Sequence, residues 1–370
     1  MKLKFIIIMV LLLSGCQMFI VPFEFNSSIK QITVSERSYI IDENNVLFGL
    51  GIDYGDGPVK IMNDVVQVIA DSSHTVALKT DGTLWEWGSY RTFTSPLFNQ
   101  NDVKVLVLED VKNIWGNDSG LTYILKNDDS LWINGINSYE YCRVSPFNPN
   151  ESNASRKVNH VLDDVEALYV APYTSNAIAK TKDGRFFIWG SRNETSVKYD
   201  IINEFMIDQT QKCIRTPLEI SFDMNVKDLA YAHGTIYLID HNNSLYGLGN
   251  NEYNRINDSE QKFISVPYKI MDNVIEVQSN SFSTFILTQD KSLWGLSNRS
   301  GKLGLGHDNI PKSPVKLLDD VSMFSSYTFT NMVLKNNGEI IAWGSNNFNQ
   351  MGISQGMGHY KPKKVGQVRP

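Results

Sequence analysis

One short motif recurs seven times: 44-NNVLFGLG-51, 81-DGTLWEWG-88, 128-DDSLWING-135, 183-DGRFFIWG-190, 242-NNSLYGLG-249, 290-DKSLWGLS-297 and 337-NGEIIAWG-344. Each copy has a turn pair, a variable residue, an aliphatic or aromatic pair and a closing small residue. The copies end at positions 51, 88, 135, 190, 249, 297 and 344, a mean spacing of about 49 residues, as in propeller and solenoid repeats. Such a unit cannot bury its apolar residues alone and must stack on its neighbours.

Two further elements accompany it. Upstream of most copies lies a strand pair such as 65-VVQVIADSSHTVALK-79 or 111-VKNIWGNDSGLTYILK-126, with 29-IKQITVSERSYIID-42 as a weaker first member. A proline-led strand appears at 58-PVKIMNDV-65, 267-PYKIMDNV-274, 314-PVKLLDDV-321 and 362-PKKV-365. In the second copy, Asp81-Gly82 suits a tight two-residue turn. That turn sets Leu78 opposite Trp85 and Val76 opposite Trp87, leaving Ala77 and Leu84 on the other face. Both faces are then partly apolar, as a small sheet flanked on both sides requires, and small sheets repeated around an axis form a β-propeller.

The repeats resemble those of the regulator of chromosome condensation family. The match is best in 343-WGSNNFNQMGISQGMGHYKPKKV-365 and 294-WGLSNRSGKLGLGHDNIPKSPVKLLDDV-321, and the family's His-Thr-x-Ala-Leu strand stands here as His74-Thr75-Val76-Ala77-Leu78. The resemblance implies an all-β, seven-bladed β-propeller of four-stranded blades, closed by pairing of N- and C-terminal strands. It covers residues 27–370. The Gly-rich segment is missing after Gly135 and Gly190. Pro362–Val365 looks like a blade-opening strand with no blade after it, completing a blade from both chain ends and removing sheet edges.

The N-terminus reads differently. MKLKFIIIMVLLLSGC has a charged start and an apolar run too short to span a bilayer well. Leu13-Ser14-Gly15-Cys16 resembles the lipobox of bacterial lipoproteins. The expectation is a signal peptide at 1–15, a lipid-tethered linker at 16–26 and a propeller at 27–370, held outside a bacterial membrane through acylated Cys16. In an exported chain Cys142 and Cys213 could pair; their spacing leaves this open. The net charge of −6 and pI near 5.6 come with no basic stripe, which argues against nucleic acid as partner.

The rings at Phe48, Trp85, Trp132, Phe187, Tyr246 and Trp294, with the closing Gly51, Gly88, Gly135, Gly190, Gly249 and Gly344, recur with the blade and read as structural signature. Trp87 occupies a position that varies between copies. His74 falls on the family's His-Thr site, where it serves the blade's own hydrogen bonding, and His233 on a similar site. The remaining histidines lack metal-like spacing, so neither a metal nor a cofactor is expected and no catalytic residue is assigned. Acidic pairs such as Asp128-Asp129, Asp163-Asp164 and Asp319-Asp320 read as turn chemistry.

The repeat is most interrupted after Gly135 and Gly190, where long connections carry Tyr139, Tyr141, Phe147, Tyr199 and Phe205 among polar residues, a composition suited to contact. Both should emerge on one face of adjacent blades. The expected function is a non-enzymatic propeller that binds an envelope or extracellular protein. Two alternatives stand beside it. One is an enzyme inhibitor using the loop face, since a secreted β-lactamase-inhibitory protein resembles this family. The other is a polysaccharide hydrolase or lyase, which needs converging carboxylates at one end of the channel.

Overall fold

The computed structural model describes residues 22–369 except 52, 72–73, 89–103, 117–120, 136–157, 173–175, 192–200, 206–212, 253, 281–282, 298–302, 307–310, 312, 328 and 354–357. After β1 (Phe23–Phe25), seven sheets follow in chain order. Blade 1 is β2 (Ile29–Thr33), β3 (Ser38–Asp42), β4 (Leu47–Gly51) and β5 (Gly55–Met62). Blade 2 is β6 (Val65–Ala70), β7 (His74–Lys79), β8 (Leu84–Gly88) and β9 (Val105–Leu108). Blade 3 is β10 (Val111–Gly116), β11 (Leu121–Lys126), β12 (Leu131–Gly135) and β13 (Asn159–Leu162). Blade 4 is β14 (Val165–Val170), β15 (Ala177–Thr181), β16 (Phe186–Ser191) and β17 (Cys213–Ile220). Blade 5 is β18 (Val226–Ala232), β19 (Thr235–Asp240), β20 (Leu245–Asn250) and β21 (Phe263–Met271). Blade 6 is β22 (Val274–Ser279), β23 (Ser283–Thr288), β24 (Leu293–Ser297) and β25 (Val315–Leu318). Blade 7 is β26 (Val321–Tyr327), β27 (Thr330–Lys335), β28 (Glu339–Gly344) and β29 (His359–Val368).

Within each blade the four strands are antiparallel and in sequence order. The first strands touch their counterparts around the ring, β2 against β6 and β26, β10 against β6 and β14, β18 against β14 and β22. The molecule is a seven-bladed propeller with the first strand of each blade innermost and the fourth on the rim.

The repeated motif is the turn and third strand, with a register one residue from that expected. Thr75 pairs with Trp87, Ala77 with Trp85 and Leu78 with Leu84. The cause is the turn. Gly82 alone takes a positive φ, its N–H donates to Lys79 O at 3.0 Å, and the Lys79 N–H donates to Thr83 O at 2.9 Å. This is a three-residue loop ending in a left-handed residue rather than a two-residue turn. The same position is left-handed in all seven blades, at Asn45, Gly82, Asp129, Gly184, Asn243, Lys291 and Gly338. Its carbonyl then faces the next blade. Val65, Val111, Val165, Val274 and Val321 donate their N–H groups to the carbonyls of Asn45, Gly82, Asp129, Asn243 and Lys291 at 2.8–3.0 Å.

The deepest packing between blades falls two residues after the recurrent rings. Trp87, Trp189 and Trp343 are 4%, 0% and 0% exposed. Each meets an aromatic ring on the second strand of the preceding blade: Tyr39–Trp87 at 6.1 Å, Tyr123–Trp189 and Phe285–Trp343 at 6.0 Å between centroids. Leu50, Leu248 and Leu296 are buried at the same position. Closing glycines follow it: a Cβ on Gly344, at φ +105°, would stand 1.7 Å from the Phe329 carbonyl oxygen.

Ring closure joins the chain ends. β1 runs parallel to β29 with Phe23 beside Gly366 and Phe25 beside Val368, making blade 7 five-stranded. The segment read as a tethered linker therefore enters the fold at Phe23. Phe25 packs edge-on against Phe48 at 4.8 Å, and Phe23 lies over Gly352 and Gly366, where any Cβ would come within 2.9 Å of its ring. The proline-led segments are fourth strands of their own blades, not openers of the next: Pro58, Pro267 and Pro362 lie in β5, β21 and β29. A residue without an N–H suits the rim, where no neighbour accepts the bond.

Candidate functional site at the loop face

Strand direction sorts the connections onto two faces. The turns between second and third strands, and the links between blades, share one face; the links are two residues long, as at Glu109-Asp110, except for the five residues 221–225 between blades 4 and 5. The first-to-second turns and the third-to-fourth connections share the other. The longest of these run from Gly135 to Asn159 and from Ser191 to Cys213, in adjacent blades. They leave the fold at corresponding points, on one face, as the repeat breaks suggest. Tyr139, Tyr141, Phe147 and Tyr199 lie outside the described residues, as does Cys16. Phe205 closes a short 3-10 turn (Ile201–Phe205) and is half-buried, packed against the core of blades 3 to 5. Cys213 is disulfide-bonded, its partner lying outside the described residues.

At the centre of this face the inner strands end around a cavity of about 190 Å³ lined by residues including Thr33, Asp71, His74, Thr122, Asn280 and Tyr327. Its walls are Ser, Thr, Asn and short apolar side chains. Among the described residues lining it, Asp71 is the single carboxylate. Its Oδ1 accepts the His74 N–H at 2.8 Å. His74 Nε2 sits 3.0 Å from Glu86 Oε1, and that glutamate is fully buried. The His74–Glu86 contact lies within blade 2, between β7 and β8, in keeping with a role inside the blade. The converging carboxylates that a polysaccharide-cleaving site needs are not found among these residues. Among the described residues no cluster of three His, Cys, Asp or Glu side chains could hold a metal.

Asn280 occupies the equivalent turn of blade 6. Its Oδ1 accepts the Ser283 N–H at 2.9 Å and its Nδ2 donates to Ser326 Oγ of blade 7 at 2.7 Å. Arg255, 1% exposed, reaches from blade 5 to donate to the Asn280 carbonyl at 3.2 Å. Nearby His233 lies in the β18–β19 turn at φ +49°. Burial, and then the Arg255 charge, push its pKa down to about 4 from 6.5. The unfolded chain protonates His233 near pH 6.5 while the folded chain resists until about 4. Stability is therefore complete above pH 6.5 and falls as pH drops towards 4, by on the order of 3 kcal/mol. The His233→Asn variant, which keeps a residue tolerant of positive φ, is expected to flatten that interval when urea midpoints are measured against pH. An unchanged slope would assign the acid sensitivity elsewhere.

The recurrent rings are half-buried along the margins of the inter-blade core, several beneath a cation. Lys126 Nζ lies 5.1 Å from the Trp132 ring centre, Lys316 Nζ 5.7 Å from Trp294, and the Arg185 guanidinium 5.2 Å from Phe187. Trp85 donates its ring N–H to Thr83 Oγ1 at 3.0 Å, and Tyr246 lies beside a groove of about 670 Å³ on the turn face. The loop face also holds two aromatic rings outside the repeated motif: Phe329 and Phe348 of blade 7, 38% and 37% exposed. Both sit in connections where the repeat prescribes no large apolar residue, which is the signal that marks them.

A closed ring with one regular face and one elaborated face defines a propeller of the kind that presents loops around a central opening. The chain is 23% identical to the ultraviolet-B receptor UVR8 of Arabidopsis thaliana over 326 residues, 82% of this chain and 70% of that one. It is 25% identical to the regulator of chromosome condensation of Homo sapiens over 293 residues, 72% and 68% of the two chains. Yeast RCC1 (Prp20), crystallised with Kap60, superposes with a TM-score of 0.67 over 98% of this chain and 91% of that one, at 14% identity. Human WBSCR16 superposes with a TM-score of 0.66 over 84% and 85%, at 16% identity. No protein-family model matches. The sequence relatives and the seven-bladed fold support the regulator of chromosome condensation family.

Proposed function

We propose that this chain is a membrane-tethered, extracytoplasmic lipoprotein whose propeller binds another protein through its loop face. The observation that carries the binding mode is the coincidence on one face of the two enlarged connections, the polar cavity and exposed Phe329 and Phe348. Exposed aromatics among polar loops are the composition of contact surfaces. Two solved structures of yeast Prp20 point the same way: in one it is bound to Kap60, and the other is described by its binding to Gsp1p and histones. Those partners belong to that protein. The net charge of −6 repels nucleic acid but gives no argument about a protein partner, so the mode is carried over and the particular partners are not. The tether rests on the lipobox-like Leu13-Ser14-Gly15-Cys16.

The test has two arms. Cys16→Ala is expected to move the protein from the membrane fraction to the soluble one, and retention in the membrane would remove the lipoprotein reading. Deleting 138–156, which lies between β12 and β13, is expected to leave the β-sheet circular dichroism unchanged while capture of the envelope partner falls by at least about tenfold, a loss of 1.4 kcal/mol or more. Unchanged capture would move the binding surface off this connection.

A further inference from the structure

The two chain ends meet on the rim of blade 7, and that rim carries an unusual charge for an acidic protein. The first half of β29 reads Tyr360-Lys361-Pro362-Lys363-Lys364, and the tyrosine and all three lysines are exposed, Tyr360 by 70%. Lys364 pairs with Glu339 at 3.3 Å, whereas Lys361 and Lys363 make no ion pair among the described residues. The segment is held in place: Gly306 of blade 6 donates its N–H to Tyr360 O at 3.1 Å, and the Lys361 stem lies so close over Gly306 that a Cβ there would meet its Cε at 2.0 Å.

The direction of β1 gives this surface its meaning. Because β1 is parallel to β29 and Phe23 stands beside Gly366, the chain upstream of Phe23 departs towards the Lys363–Lys364 end of β29. Cys16 is seven residues before Phe23, a reach of at most about 25 Å. A lipid on Cys16 would therefore keep this part of the rim within about 25 Å of the bilayer.

We propose that the Tyr360–Lys364 half of β29 is a membrane-docking surface for anionic phospholipid headgroups. This rests on the tether proposed above. Lysine ammonium groups suit the negative headgroup layer, and an exposed tyrosine suits its apolar boundary. Docked there, blades 3 and 4 lie across the ring from the bilayer, so Gly135 and Gly190, where the two long connections leave the fold, stand far from the membrane.

The test is amine footprinting of the full-length protein reconstituted into vesicles. Lys361 and Lys363 are expected to react with a water-soluble acylating reagent about tenfold more slowly on phosphatidylglycerol-containing vesicles than on phosphatidylcholine vesicles. Lys182 of blade 4 should react equally on both. High salt, or Lys363→Glu read at Lys361, should abolish the protection. Equal rates on the two lipids, or protection that extends to Lys182, would overturn the docking surface. Protection appearing only with added envelope protein would also overturn it, in favour of a protein partner. The mass of the N-terminal peptide from the same sample reads acylation of Cys16 separately, so failure of the tether and failure of the docking surface are distinguishable.

Discussion

Trp343→Ala is expected to lower the free energy of unfolding by about 3–5 kcal/mol, whereas Trp85→Ala costs less than about 1 kcal/mol. Trp343 is fully buried against Phe285 of the preceding blade, and its removal leaves a cavity at a junction that other blades cannot refill. Trp85 is half-buried and its ring N–H bonds within its own turn. Urea unfolding followed by circular dichroism separates the two. Comparable losses would show that the half-buried ring position, not the position two residues on, carries the packing between blades.

The second large effect concerns ring closure. Phe23→Ala combined with Phe25→Ala is expected to cost at least about 3 kcal/mol, with faster hydrogen exchange at Gly366–Val368. The two rings are 9% and 3% exposed and belong to the core shared by blades 7 and 1. Glu24→Ala, between them, removes only an exposed pair with Arg369 and should cost less than about 1 kcal/mol. If the double variant is as stable as the wild type, β1 is an appendage and the propeller is closed by blade packing alone.

Much of this fold was legible because each blade repeats the same physics. The turn pair, the two apolar faces and the closing glycine each follow from local chemistry, and seven copies outvote the irregularities of any one. The register was not legible. Asp81-Gly82 fits two turn types, and the one with a single left-handed residue also presents the Gly82 carbonyl to accept the Val111 N–H of the next blade. The variable position is likewise not legible locally: Trp87 meets Tyr39, 48 residues upstream in another blade. Long-range pairing hid the place of β1 as well, since Phe23 and Phe25 have no repeat to announce them and their partners lie at the far end of the chain. At the candidate site, the breaks after Gly135 and Gly190 mark where two connections leave one face, while Phe329 and Phe348 stand outside the repeated motif, so their exposure follows only from the fold.

The parallel pairing of β1 with β29 also decides how the molecule carries mechanical load. A pull on the proposed tether acts along the axis of β1, so its backbone bonds to β29, the Arg369 N–H bond to the Phe25 carbonyl at 2.7 Å and both seated phenylalanine rings resist together. A strand drawn in shear must break these contacts at once, whereas one peeled from its end would lose them in turn. The weakest-looking element of the propeller, three residues long, is thus oriented to be strongest in the one direction from which an anchored protein is pulled.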